Sequence, residues 1–211
     1  MTNPFRYFKT SPEIIRLAVM MYVRYPLSLR QGEDLLHERG IDVSYETVRA
    51  WWNRFGPLFA AEIKKTRSAS MRIGSQWRWH LGEVLEAFVT KRRDRKAALK
   101  FLKKTMKKYD SPKVIVADRL RSYRAAMKIF GNESRQETRQ WLNNRAENSH
   151  QPFRQRERAM IKFRSTKSLQ KFVSIHSSVH NHFNLERHLT SRQQFKLNRE
   201  AALADWRQLA A

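Results

Sequence analysis

The chain has no cysteine, which excludes a disulfide framework and any thiolate metal site and suits a reducing interior. Long apolar runs are missing too. The longest, around Ile14 to Val23, is interrupted by Arg16 and is far too short to span a bilayer. The N-terminal MTNPFRYFKT lacks the apolar core of a secretory leader, so a soluble cytoplasmic protein is the expectation. Neither an internal repeat nor a low-complexity tract is visible. Acids are scarce: Asp+Glu 19 against Lys+Arg 43 gives a formal charge of +24 on 211 residues. Such an excess opposes compaction unless an external anion balances it, and nucleic acid is the obvious one. The charge is also concentrated, with ten Lys or Arg and one acid, Asp94, between Lys91 and Lys108. What the chain does have is 41% apolar residues, enough to build the core of one full domain plus a small one.

Residues 12–55 read as three helices. Ser11 with Pro12 and Glu13 is a start signal, and Ile14, Ile15, Leu17, Ala18 and Met21 repeat near a 3.6-residue period. Pro26 ends that helix, and Ser28 can cap a second in which Leu29, Leu35 and Leu36 turn inward. Gly40 stops the second helix, and after a short turn Ser44 can cap a third, YETVRAWWNRF, ending at Gly56-Pro57. This spacing suggests a helix-turn-helix whose third helix enters the DNA major groove, the bland alternative being a plain three-helix bundle. With Val48, Trp52 and Phe55 packed inward, Tyr45, Glu46, Arg49 and Asn53 become candidates for base or phosphate contacts.

Residues 56–76 mix Gly, Pro, Ser and Lys and read as an extended linker allowing independent motion of its flanks. From Gln76 the element types alternate. WRWHL and VLEAFVT look like strands, RRDRKAALKFLKKTMKKYD is a helix that can bury Ala97, Leu99, Phe101, Leu102 and Met106, and KVIVA at 113–117 is a buried strand. A helix rich in Arg119, Arg121 and Arg124 follows, then a strand candidate near Gln136–Thr138 and a long helical tract from about Asn144 to Phe183 that Pro152 should kink or delay. The tail from Arg192 to Trp206 reads as one more helix. The expected fold class is α/β, divided into a helix-turn-helix region at 1–56, a linker at 57–76 and an α/β domain at 77–211.

Asp118 directly follows the KVIVA strand, where α/β folds expose functional groups, and Glu147 sits in the basic run WLNNRAENSHQPFRQRERAM. Two acids at the edge of a basic fold are what a Mg²⁺ site needs for a phosphodiester substrate. The third acid such a site normally has is missing. Asp94 reads as a capping residue.

Taken together, GIDVSYETVRAWWNRFGP, WRWHL, VTKRRDRKAALKFLKK, DRLRSY, WLNNRAENSHQPFRQRERAM and VHNHFNLERH resemble the DDE transposases of bacterial and archaeal insertion sequences. More narrowly, the chain resembles the insertion-sequence-six family over nearly its whole length. The resemblance implies an RNase H-like catalytic domain with Asp118 as the second acid and Glu147 as the third, both metal ligands for Mg²⁺ or Mn²⁺. Its first aspartate would follow Trp79, His80 and Leu81, where this chain has Gly82; Glu83 is the nearest substitute, but on a strand its side chain would face away from where that aspartate points. WRWHL also runs straight into GEVLEAFVTKRRD, which looks like an internal deletion of about 20 to 30 residues, two strands plus a turn. The implied partners are double-stranded DNA, as transposon terminal inverted repeats and as target, and further copies of the chain in a nucleoid-associated oligomer. Activity is expected to be lost with the first aspartate. The competing class is a non-enzymatic protein that occupies transposon ends and represses or inhibits an intact relative; an RNA-binding module is disfavoured for want of a glycine-aromatic signature.

Arg119, Arg121, Arg154, Arg156, Arg158, Lys162 and Arg164 are read as phosphate contacts rather than an idle solvated face. His176, His180, His182 and His188 suggest zinc, but with no cysteine beside them the favoured reading is surface or DNA-facing histidines. Trp77, Trp79 and Trp141 are read as core.

Overall fold

The computed structural model describes residues 3–73, 76–77, 83–90, 94–109, 111–116, 121–131, 133–137, 151–160, 163–185 and 189–210. Local signals set its first helices. α1 spans Pro12–Arg24 with Ser11 accepting from the Ile14 amide, and α2 spans Leu29–His37 behind a full capping box of Ser28 and Gln31. Gly40 takes φ 72° beyond α2, a left-handed stop that glycine adopts without strain. Ser44 then accepts from the Thr47 amide at the start of α3, Tyr45–Met71.

α3 overturns the linker reading, because residues 57–71 continue the helix without a break. Pro57 has no N–H to offer the Asn53 carbonyl four residues back, a cost of about 3 kcal/mol in a helix interior. Lys171 Nζ takes over that carbonyl at 3.2 Å. The helix also gains by continuing. Phe59 and Ile63 continue the buried row of Trp52 and Phe55 at helical spacing, each contributing about 1.5–3 kcal/mol that a linker would forgo. Independent motion of the two flanks is excluded by the same core.

Beyond α3 comes a short hairpin, β1 (Arg72–Ile73) against β2 (Gln76–Trp77). VLEAFVT forms no ladder. Residues 84–90 run irregularly, and side-chain amides replace a neighbouring strand. The Val84 amide donates to Asn181 Oδ1 at 2.9 Å and its carbonyl accepts from Asn181 Nδ2 at 2.8 Å. The Val89 amide donates to Gln170 Oε1 at 2.7 Å, and the Ala87 carbonyl accepts from Gln170 Nε2 at 3.0 Å. Both amides lie on one helix, Thr166–Phe183. Eleven residues of helix and five of extended chain each cover about 16.5 Å, which is why both ends of the segment meet a partner.

Next come α4 (Arg95–Tyr109), β3 (Ile115–Val116), α5 (Arg121–Ile129), a 3₁₀ turn at Glu133–Arg135 and β4 (Gln136–Glu137). β3 and β4 pair in parallel, Ile115 with Gln136 and Val116 with Glu137, with α5 as the crossover. A small core of Ala98, Leu102, Ala126 and Met127 joins α4 to α5.

The expected single tract to Phe183 is two helices. The described part of α6 covers 151–159, and α7 (Thr166–Phe183) starts afresh where Ser165 accepts from the Ser168 amide at 3.1 Å. α8 (Arg192–Gln208) completes the chain as expected. α7 lies against α3 and α1, and α8 against α1 and α7, so the main core draws on both ends of the sequence. Trp52 meets Phe172 at 5.4 Å between ring centroids, and Phe59 meets Trp206 at 5.6 Å. Gly56 makes the α3–α7 approach possible: a Cβ there would lie 3.0 Å from Trp52 Cε3 and 3.3 Å from Ile175 Cδ1. The described residues are mostly helical, with two two-stranded sheets, so the α/β expectation is met only in part. No described helix is long and apolar enough to cross a membrane.

Candidate nucleic-acid interface and metal site

The N-terminal half of α3 separates its two faces as its periodicity requires. Val48, Trp52 and Phe55 are buried, while Glu46, Arg49 and Asn53 are exposed and Tyr45 is half-buried. Arg49 Nη1 pairs with Glu46 Oε1 at 3.1 Å, and the guanidinium groups of Arg49 and Arg30 each lie 5.7 Å from the Tyr45 ring centroid. Asn53 is already engaged. Lys171 Nζ donates to its Oδ1 at 2.8 Å as well as to its carbonyl. The amide oxygen of Asn53 thus already accepts from Lys171, while its nitrogen can still donate to a phosphate. Lys171 adds a cation to this face that sequence reading had not singled out.

Of the arginines on α6, Arg154 and Arg158 are exposed, as a phosphate contact requires. Arg156 is not. Only 1% of it is exposed, and it donates to the carbonyls of Leu27, at 2.6 Å, and Tyr22 while stacking over the Tyr22 and Phe172 rings. Its reading as a DNA contact is therefore corrected. The reason is helical geometry: at about 100° per residue, position 156 points roughly 200° away from 154. Tyr22 is in the last turn of α1, so Arg156 satisfies a carbonyl that has no partner within the helix. Burial pushes its guanidinium down to about 10, opposed by Tyr22, and it stays charged at neutral pH.

The histidines depart from the surface reading as well. His176 is buried, 5.8 Å from both Phe153 and Phe172 by ring centroids, and His180 stacks on it at 6.1 Å. Burial, then His180 and Arg156, push His176 down to about 4. Burial also lowers His180 and His182, the latter against its hydrogen bond to the Ala202 carbonyl at 2.7 Å. His176 is a neutral core residue.

For the metal site, Asp118, Glu147, Arg119, Lys162, Gly82, His188, Trp79 and Trp141 lie outside the described residues, as do the side chains of Arg121 and Trp77. The strand end at Val116, two residues before Asp118, is described, in parallel register with Glu137. Glu83 is described too, and it does not fit a cation. Its side chain is 5% exposed, and its carboxylate is held by Arg67 Nη2 at 2.6 Å and by Asn181 Nδ2 at 3.4 Å. Among the described residues no three His, Asp or Glu side chains cluster as a metal would need. Asp94 caps α4 as expected, accepting from the Ala97 amide at 2.8 Å.

The DDE domain of the IS240 transposase family matches residues 77–186, just over half the chain. The chain belongs to that family. Its relatives include the transposase for insertion sequence-like element IS431mec of Staphylococcus aureus strain Mu50. Another is the transposase for insertion sequence element IS257 in transposon Tn4003 of the same species. Each is 28% identical to this IS240-family chain over 141 residues, 59% of the chain. The match spans 63% of each relative's length. No solved structure matches. The matched span runs from the last residue of β2 through the amide-tied segment and α4 to α7, and takes in the sequence positions of Asp118 and Glu147.

Proposed function

We propose that this IS240-family chain is an insertion-sequence transposase whose DNA-recognition parts are intact and whose catalytic centre is crippled. Its catalytic domain takes the RNase H-like fold, with Asp118 and Glu147 as surviving ligands for Mg²⁺ or Mn²⁺. In the parent reaction, water attacks a phosphodiester at the transposon end and frees a 3′-hydroxyl. That hydroxyl then attacks target DNA in line, displacing a 3′-oxygen from the target phosphorus. The metal, when bound, supplies electrostatic stabilisation of the attacking and leaving oxygens. Tyr45, Glu46 and Arg49 read the terminal inverted repeats, while Asn53, Lys171, Arg154 and Arg158 hold phosphates. Two ends must meet, so the protein acts as an oligomer.

The observation that carries this reading is the DDE-domain match across 77–186 in a chain with Gly82 after Trp79, His80 and Leu81. The engagement of Glu83 by Arg67 favours a second reading, a non-enzymatic occupant of transposon ends that inhibits an intact relative. A supercoiled-plasmid nicking and strand-transfer assay with Mg²⁺ or Mn²⁺ tests the proposal. Binding to end sequences without cleavage is expected; robust turnover that disappears with Glu147→Gln would sink the claim of a crippled centre.

A further inference from the structure

α4 contains no acid, and its exposed side is lysine from end to end. Lys96, Lys100, Lys103 and Lys107 recur at spacings of four, three and four residues, which places all four within an arc of about 60° along about 16 Å of helix. The opposite side is fixed by Ala98 and Leu102, buried against Ala126 and Met127 of α5, so the stripe cannot turn inward. Lys96, Lys103 and Lys107 have no carboxylate partner among the described residues, and Lys100 rests 5.0 Å above the Phe88 ring. Among the described residues, Asp94 is engaged as the cap of the helix and Glu86 beside it is taken by Lys104 at 3.0 Å. Lys64 of α3 adds another cation there: burial pushes its ammonium down, and Lys104 and Lys108 push it the same way against the pull of Glu86.

Like charges three and four residues apart destabilise an isolated helix. A row of them without interspersed acids has its counter-charge elsewhere. We infer that the lysine stripe of α4 is a second surface for the phosphate backbone of duplex DNA, distinct from the Tyr45–Asn53 face of α3. It rests on the DNA-binding reading above and adds where the bulk of the non-specific affinity resides. Flexible ammonium groups in a row suit a phosphate backbone and carry no base-reading geometry. The stripe therefore raises affinity for every sequence equally.

The test is fluorescence anisotropy of the full chain with a labelled end-sequence duplex and a random duplex, across a series of salt concentrations. Replacing Lys96, Lys103 and Lys107 together by Gln should flatten the dependence of log affinity on log salt by about 2 to 3, at roughly 0.9 per lost phosphate contact. The loss should be equal for both duplexes. The corresponding triple Arg variant should keep the wild-type slope. Thermal stability of the Gln variant should be unchanged or higher because repulsion is relieved; should it lose helicity instead, single variants carry the same readout at about 0.9 each. A wild-type protein that binds steeply while the Gln variant matches it within twofold overturns the stripe and leaves the α3 reading standing. Failure of the wild type to bind either duplex overturns both. Duplex RNA held more tightly than DNA overturns the choice of partner.

Discussion

Replacing Arg156 with Met separates structural from DNA-binding roles on α6. The substitution keeps most of the side-chain volume against the Tyr22 and Phe172 rings, but removes the cation over them and leaves the Tyr22 and Leu27 carbonyls without their donor. A hydrogen bond from a charged group contributes about 1.5–3 kcal/mol, and a buried carbonyl left unsatisfied costs a similar amount. Two such bonds give an expected loss of roughly 3–5 kcal/mol. Removing the buried charge recovers part of its desolvation, which places the expectation at the lower end. In a protein of this length that lowers the melting temperature by roughly 10 °C. Urea denaturation followed by far-UV circular dichroism measures it, with the salt dependence of duplex binding recorded on the same sample below its melting range. Stability within about 1 kcal/mol of wild type, or a slope for DNA binding that flattens as for a lost phosphate contact, would refute the structural role of Arg156.

Stability should fall as pH drops through His176. Its folded value of about 4 lies below the ordinary 6.5, so the unfolded chain takes up the proton first. Full stability is present above about pH 6.5 and is lost progressively toward pH 4, by roughly 3 kcal/mol from this residue. His176→Phe should remove that slope in a pH series of urea melts. Gly56→Ala should destabilise by about 1–3 kcal/mol although alanine favours helix, because its Cβ meets Trp52 and Ile175; a melting temperature above wild type would show that α3 and α7 separate freely. Lys171→Met should cost up to about 1 kcal/mol in the wild type and less in a Pro57→Ala background, where residue 57 can donate to the Asn53 carbonyl itself and only the Asn53 Oδ1 contact remains to be lost. Equal costs in both backgrounds would contradict the substitution of Lys171 for the missing amide.

Local chemistry made the N-terminal helices legible in the sequence. Ser11, Ser28 and Gly40 act within four residues of themselves, and the burial of Val48, Trp52 and Phe55 follows from period alone. β3, α4, β4 and α8 were legible for the same reason. The run of α3 through Pro57 was not, since the lysine that relieves it is 118 positions away from the asparagine it serves. Extended backbone at 84–90 was foreseen as strand, but its partners are amides on α7. Two corrections were within reach of the sequence. Arg154 and Arg156 differ by two positions, which on a helix means opposite faces, and Ser165 with Ser168 is a capping pattern inside the supposed continuous tract. Asp118 and Glu147 drew attention through residue type and context, and the family match encloses both.

The walls of the main core come from the two extremities of the chain, residues 5–63 and 172–209, while α4, α5 and the parallel pair keep a separate small core between them. Loss or insertion of strands in the middle of the sequence leaves those walls untouched. Cutting at residue 56 does not: such a fragment would carry the first half of α3 without Phe172, Ile175 and Trp206, its aromatic side bare to water. A chain so built can lose or gain strands internally without baring its main core, whereas one cut short within α3 would leave that core without half of its wall.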